Sequence, residues 1–290
     1  MPVVDAHQHF WNLETGSYPW LTPEAGPIHR TFEPAELIPQ LAAAGVDRTV
    51  LVQSMDSYAD TDAMLAQADA HPFIGAVVGW VPLDRPDEAA AALERYRRHP
   101  RFAGVRHLIH DEPDPDWVVR DSVIEGLGLL AAAGLPFDVV AVLPRHLEHV
   151  PVLAERVPGL RMVIDHLAKP PIAEKGWEPW ASLLARAAEC PGVYAKVSGL
   201  NTAAVTGAGT GAGTETWTGA DLRPYVEHAI EVFGPDRLMF GSDWPVALLA
   251  GDYAKVWRET GVALAGLSDA GRAAVLGGTA TRFYRIQETS

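Results

Sequence analysis

The chain has 290 residues, 48% of them apolar and 21% charged, and a formal charge of −14 from 23 basic and 37 acidic side chains. That apolar share supports a large core and excludes wholesale disorder, and the length fits one α/β barrel. The acidic balance argues against a polyanion-binding face, because no basic stripe interrupts it. A single cysteine, Cys190, permits neither an internal disulfide nor a cysteine-rich metal cluster. The opening MPVVDAHQHF turns polar too early for a signal peptide, and no apolar run reaches the ~18 residues of a membrane span. A cytoplasmic protein with no nucleic-acid or membrane partner, acting on a small molecule, is expected; its oligomeric state is not encoded legibly.

Short apolar runs at 3–9, 48–54, 74–81, 103–107, 136–142, 160–165, 192–197 and 237–242 read as strands. Helical stretches separate them, such as Pro34–Gly45, where Leu37, Leu41 and Ala44 recur at i, i+4, i+7, and Asp87–His99. The Val-rich strands read as buried on both faces, the pattern of a parallel sheet covered by helices. Eight such units predict a single (β/α)8 TIM barrel over residues 1–290. An open doubly wound sheet competes, but it usually has a Gly-rich turn where this chain has DAHQHFWN. Two long connections, Phe10–Phe32 and the Gly/Thr/Ala-rich Asn201–Ala220, cross the C-terminal rim; the second reads as a surface insertion or a lid.

Chemistry concentrates at the predicted strand ends. His7-Gln8-His9 closes the first strand, and alternation turns His7 and His9 the same way, inward in a barrel. They read as metal ligands or paired donors to a substrate, against the blander reading of hydrogen-bonded core histidines. His166 closes the sixth strand and Asp243 the eighth; each alone is a weak signal, but a barrel brings all four to one mouth. Asp243 is placed to deprotonate a water, and the histidines to hold a metal, polarise a carbonyl or protonate a leaving oxygen. Arg106 and His107 end the fourth strand, to grip substrate oxygens or, for Arg106, to pair with an acid such as Asp138. Asp138 in the fifth strand and Lys196 in the seventh either reach the site or are paired or snorkelled elsewhere. Gln53, Trp80, Trp11 and Trp20 are candidate substrate walls, and Lys169 is a further cation near a strand end. His29, His71, His99, His146, His149 and His228 read as solvent-facing. The sequence has no Walker loop, G-x-S-x-G elbow or H-E-x-x-H helix.

His7-x-His9, His166 and Asp243 in GSDWP resemble the amidohydrolase superfamily. DAHQHFWN (Asp5–Asn12), YPWL (Tyr18–Leu21), GVRH (Gly104–His107), IDHLAKP (Ile164–Pro170) and KVSGL (Lys196–Leu200) narrow the resemblance to its lactonase branch. That branch includes enzymes of the L-fuconolactonase, L-rhamnonolactonase and 2-pyrone-4,6-dicarboxylate lactonase types, and the likeness spans nearly the whole chain. It implies hydrolysis of a lactone, expected here to be a neutral sugar-acid lactone. Asp243, His166 and His107 are then catalytic, and Arg106, Gln53, Trp80, Lys196 and Asp138 bind substrate. His7, His9, His166 and Asp243 are the implied metal ligands. Two-metal relatives carry a carboxylated Lys or a Glu at strand four and a His at strand five; this chain has Arg106, His107 and Asp138 there. One divalent ion, Zn²⁺, or none is therefore expected. A 2-pyrone-4,6-dicarboxylate-type lactonase, a decarboxylase of an unsaturated or aromatic acid on the same scaffold, and a non-catalytic binding protein stand as rival readings.

Overall fold

Eight parallel strands pair in chain order into one sheet: β1 (Val4–Gln8), β2 (Arg48–Val52), β3 (Ile74–Gly79), β4 (Phe102–His107), β5 (Phe137–Val139), β6 (Met162–Ile164), β7 (Val193–Val197) and β8 (Leu238–Phe240). The sheet closes between β8 and β1, where His9 N donates to Trp244 O at 2.7 Å and Asp243 N to His7 O at 2.8 Å. The computed structural model describes residues 1–207 and 216–287. Helices α1 (Pro34–Ala44), α2 (Tyr58–Ala70), α3 (Pro86–Tyr96), α4 (Asp121–Ala133), α5 (Pro144–Arg156) and α6 (Trp180–Ala188) follow successive strands. After β7 and β8 come α7 (Leu200–Ala203), α8 (Gly219–Phe233), α9 (Tyr253–Ala263), α10 (Asp269–Ala273) and α11 (Thr279–Tyr284). This is the (β/α)8 TIM barrel that the repeated strand-then-helix pattern predicts.

Local sequence explains the punctuation. Proline occupies the first turn of α1, α3 and α5, where its missing N–H costs nothing. Gly45 and Gly134 end α1 and α4 in left-handed conformation, with φ of 69° and 65°. Three strands are shorter than their apolar runs: β5, β6 and β8 hold three residues each, because the chain leaves the ladder early to build the mouth. His146 and His149, expected in solvent, are buried. They fall with Val150 and Leu153 at i, i+3, i+4, i+7 on the inward face of α5, and His149 Nε2 meets Asp116 Oδ1 at 2.8 Å.

Inside the barrel, Val4, Ala6, Val50, Val52, Val163 and Met239 pack with Phe283 and Tyr284 of α11, which plugs the end opposite the mouth. Strict alternation after Val4 and Ala6 would turn His7 outward with Asp5. A register shift between Asp5 and Gln8 prevents this. Gln8 points away from the lumen to Thr49 Oγ1 at 3.1 Å, and Asp5 accepts from Ser242 N at 2.8 Å and the Tyr253 hydroxyl at 3.1 Å. Ala6, His7 and His9 are left facing in.

Over the mouth, the 10–32 connection is tied down by the Trp11–Phe32 bridge and by edge-to-face contacts among Trp11, Trp20, Phe32 and Trp244. Of the stretch expected to be a lid or an insertion, Leu200–Ala203 forms α7 and Gly219 opens α8. Its centre, residues 208–215, lies outside the described residues. No helix among the described residues is long and apolar enough to cross a membrane.

One close helix approach is a backbone contact. A Cβ on Gly126 of α4 would sit 2.2 Å from the Leu83 carbonyl oxygen, a rigid neighbour. Overpacking of this kind costs about 1–3 kcal/mol, so Gly126→Ala should lower Tm by roughly 3–10 °C in thermal denaturation. An unchanged Tm would mean that α4 does not rest on Leu83.

Candidate active site

Four side chains converge on one point at the mouth. His7 and His9 approach through their Nε2 atoms at 3.1 Å. Asp243 Oδ1 lies 3.7 Å from His7 Nε2, 3.4 Å from His9 Nε2 and 4.0 Å from His166 Nε2. All four residues are buried. The opposite ring nitrogens set the tautomers. His9 Nδ1 donates to Val52 O at 2.8 Å, which leaves Nε2 as a lone pair, and His166 Nδ1 meets the Ser198 hydroxyl at 2.8 Å. Burial drives the His7 imidazole well below its ordinary range and pushes His166 down to about 3, so both are neutral at pH 7. Burial alone would raise the Asp243 carboxyl, but His166, the hydrogen bond with His9 and Lys169 hold it below the carboxylate range, and it is ionised.

Backbone strain fixes two of these ligands. His166, Leu167, Ala168 and Lys169 have φ of 55°, 50°, 60° and 50°, one turn of left-handed helix, and Asp243 has φ 59°. Left-handed residues cost about 1–2 kcal/mol each outside glycine, and such strain persists where the surroundings impose it. Trp180 Nε1 locks the turn through Leu167 O at 2.6 Å. Beside it Gly199 (φ 58°) must lack a side chain, since a Cβ would lie 2.6 Å from His166 Nδ1 and 2.8 Å from Asp243 Oδ2.

Under this cluster lies a buried charge network. Lys196 Nζ donates to Asp138 Oδ2 at 2.6 Å and lies 3.0 Å from both Asp165 Oδ1 and His7 Nδ1. Tyr284 donates to Asp138 Oδ2 at 2.8 Å, and Arg106 Nη1 to Asp165 Oδ2 at 3.1 Å. Burial pushes the Asp138 carboxyl up to about 6, against the pull of Lys196, which still leaves it ionised at pH 7. Burial would raise Asp165 too, but Lys196, His7 and Arg106 hold it well below the carboxylate range. Two ammonium-type and two carboxylate charges cancel.

Above the cluster lies a cavity of about 230 Å³ whose lining includes His9, Trp11, Trp20, Arg106, His166, Lys169 and Asp243. Its size lies below the ~300–1,000 Å³ of most ligand pockets, which suits a single small ring. Several expected substrate contacts do not reach it. Lys196 and Asp138 are fully buried in the ion network, and Arg106, paired with Asp165 rather than Asp138, is the member of that network that lines the cavity. Gln53 is fully buried and donates to Asp56 Oδ1 at 2.7 Å. Alternation on β4 turns Arg106 inward and His107 outward, where His107 stacks on Trp117 at 4.0 Å, accepts from Trp80 Nε1 at 3.0 Å and meets Glu112 at 2.8 Å. His107 and Trp80 thus satisfy each other beside the cavity. Asp165 went unnoticed in the sequence although it shares the Val163 face of β6, and Ser198 likewise shares the Lys196 face of β7.

The donor set fits one divalent cation. The Nε2 atoms of His7 and His9 face each other at 3.1 Å, with the Arg106 guanidinium 3.3 Å from His7 Nε2, and Asp243 Oδ2 is buried without a partner. Tetrahedral Zn²⁺ with bonds of about 2.0–2.1 Å needs donors about 3.3–3.4 Å apart, within the 3.1–3.7 Å span of His7, His9 and Asp243, with His166 Nε2 4.0 Å from Asp243 on the far side. Fold and site together place histidine and aspartate at the C-terminal strand ends of a barrel, around one cavity. A family model described as amidohydrolase matches residues 4–286, and the chain belongs to that family. It is 40% identical, over 99% of its length and 97% of the relative's, to a Burkholderia ambifaria protein named L-fucono-1,5-lactonase. A Burkholderia multivorans protein of the same name is 35% identical over 98% of this chain and 96% of its own. The crystal structure of a Burkholderia multivorans amidohydrolase with bound Zn superposes with a TM-score of 0.89 at 34% identity, covering 99% of this chain and 100% of that one.

Removing one partner from a buried ion network costs about 3–5 kcal/mol, because it strands the others. Lys196→Met leaves Asp138 and Asp165 with one guanidinium, Arg106, between two carboxylates and should lose that much in urea denaturation. A loss below about 1 kcal/mol would show that the network does not hold the site up.

Proposed function

We propose that this protein opens the ring ester of a neutral sugar-acid lactone, giving the hydroxy acid. The observation that carries this is Asp243, ionised and buried among three imidazoles on the wall of a cavity sized for one ring. Full-length likeness to two proteins named L-fucono-1,5-lactonase supports the same substrate class. Asp243 takes a proton from the attacking water as oxygen bonds to the lactone carbon, and returns it to the ring oxygen as that bond breaks. Trp11 and Trp20 cover the C–H faces of the sugar, and Arg106 donates to its oxygens.

His7, His9 and His166, with Asp243, hold one Zn²⁺. When bound, that ion supplies Lewis acidity to the lactone carbonyl. A second ion is disfavoured: the other donor group, His7, Asp165 and His166, already carries the Lys196 ammonium against His7 and Asp165. A dicarboxylate lactone fits poorly, because Arg106 is neutralised by Asp165 and each buried unpaired carboxylate costs several kcal/mol.

A pH-stat panel of aldono-lactones and 2-pyrone-4,6-dicarboxylate, with metal analysis, tests these points. The best aldono-lactone should exceed the dicarboxylate at least tenfold in kcat/KM, about 1.4 kcal/mol of transition-state preference. Equal or faster dicarboxylate turnover would reverse the assignment, and two tightly held ions per chain would refute the mononuclear site. Asp243→Asn should cut kcat by ~10²–10⁴ with the fold retained, and near-full activity would remove Asp243 from its role.

A further inference from the structure

We propose that Lys169 is a catalytic residue: its ammonium receives the negative charge that appears as the lactone opens, and then holds the acid product. Resting on the lactonase reading, this adds a group outside the metal donor set. The left-handed turn at 166–169 puts His166 and Lys169 on one side, three residues apart, and both line the cavity. Nζ donates to Gly199 O at 3.3 Å and to Thr202 Oγ1 at 2.9 Å, two neutral acceptors that aim the ammonium and leave a third N–H unassigned. Gly199 also abuts His166 and Asp243, so one glycine sets the spacing of all three.

The other cation at the cavity is committed. Arg106 is paired with Asp165 at 3.1 Å, while burial lowers the His110 imidazole and leaves it neutral at pH 7. Among the described residues, Lys169 is the cavity-lining cation that makes no ion pair within 4 Å, its field reaching Asp243 only from farther off. The reaction creates one charge for it to meet. A water oxygen bonds to the carbonyl carbon, the ring C–O bond breaks, and one water proton passes through Asp243 to the ring oxygen. The new carboxyl group releases the other proton. A neutral lactone and water thus become one anion and one proton. An ammonium facing that carbonyl contributes little to binding neutral substrate and more to the oxyanion and the product.

The experiment compares wild type, Lys169→Gln, which keeps donors for Gly199 and Thr202 without the charge, and Lys169→Arg, which restores it. Readouts are kcat and KM on the best aldono-lactone, calorimetric Kd for its aldonate and for gluconate, metal content and Tm. For Lys169→Gln we expect kcat to fall about 10²-fold, KM to stay within threefold and aldonate Kd to weaken at least tenfold, with Tm and metal content held. Lys169→Arg should recover most of the aldonate affinity. Unchanged aldonate binding in Lys169→Gln, or equal loss in kcat/KM through KM alone, would overturn the assignment. If wild type opens no aldono-lactone, the substrate reading fails by itself, and gluconate still decides: binding that Lys169→Gln abolishes upholds the anion site, and binding it leaves intact, or none in wild type, rejects it.

Discussion

One ammonium, on Lys196, sits where water cannot reach it, between Asp138, Asp165 and the imidazole of His7. Ions removed from water cost several kcal/mol apiece even after relaxation, so a barrel lumen tolerates them only as a closed and neutral set. The set closes here with Arg106 and with the Tyr284 hydroxyl, which enters from α11 at the far end of the barrel. The C-terminal helix and the catalytic mouth are thereby joined through one carboxylate. The same set orients His7: Nδ1 lies 3.0 Å from Lys196 Nζ and 3.3 Å from Asp165 Oδ1, so the ring cannot turn without losing its partner there, and Nε2 is held toward His9 and Asp243.

Above that floor, precision comes from backbone conformations that ordinary residues avoid. Four consecutive left-handed residues from His166 and another at Asp243 amount to several kcal/mol of local strain. The surrounding core sustains it: Trp180 anchors the turn from α6, and the β1–β8 closure clamps Asp243 through His7 O. The ring of tryptophan and phenylalanine over the mouth keeps the 10–32 connection from relaxing that geometry.

The barrel was legible because parallel strands buried on both faces leave apolar runs, and eight of them at regular spacing allow few topologies. His7, His9, His166 and Asp243 were legible because polar side chains that end apolar runs have nowhere to go in a barrel except the mouth. The β1 bulge was not: Val4, Ala6 and the two histidines cannot all face inward on strict alternation, and nothing in VVDAHQH marks the extra residue. Nor could a sequence say whether Lys196 and Asp138 meet a substrate or each other, since either outcome satisfies a buried charge. His107 was misread for a simpler reason. It sits one residue beyond Arg106, and that single step moves it to the other side of the strand, onto Trp117 and Trp80. Lys169 lies outside any strand, and only the left-handed turn brings it to the cavity.

Charge at two length scales then separates binding from release. The chain's −14 is spread over its surface, where charges beyond a Debye length of about 8 Å are largely screened at physiological salt. Such a field slows the approach of anions and leaves a neutral lactone unaffected. At about 4 Å, by contrast, a pair of unit charges interacts by roughly 4 kcal/mol at an effective dielectric of 20, against roughly 1 kcal/mol in water. A single lining ammonium therefore outweighs the acidic surface while the carboxylate is in the cavity, and loses its advantage once water enters. The neutral floor under the site matters here as well. Were Arg106 free of Asp165, two cations would face one product charge, and the acid would be held in the site that has to release it.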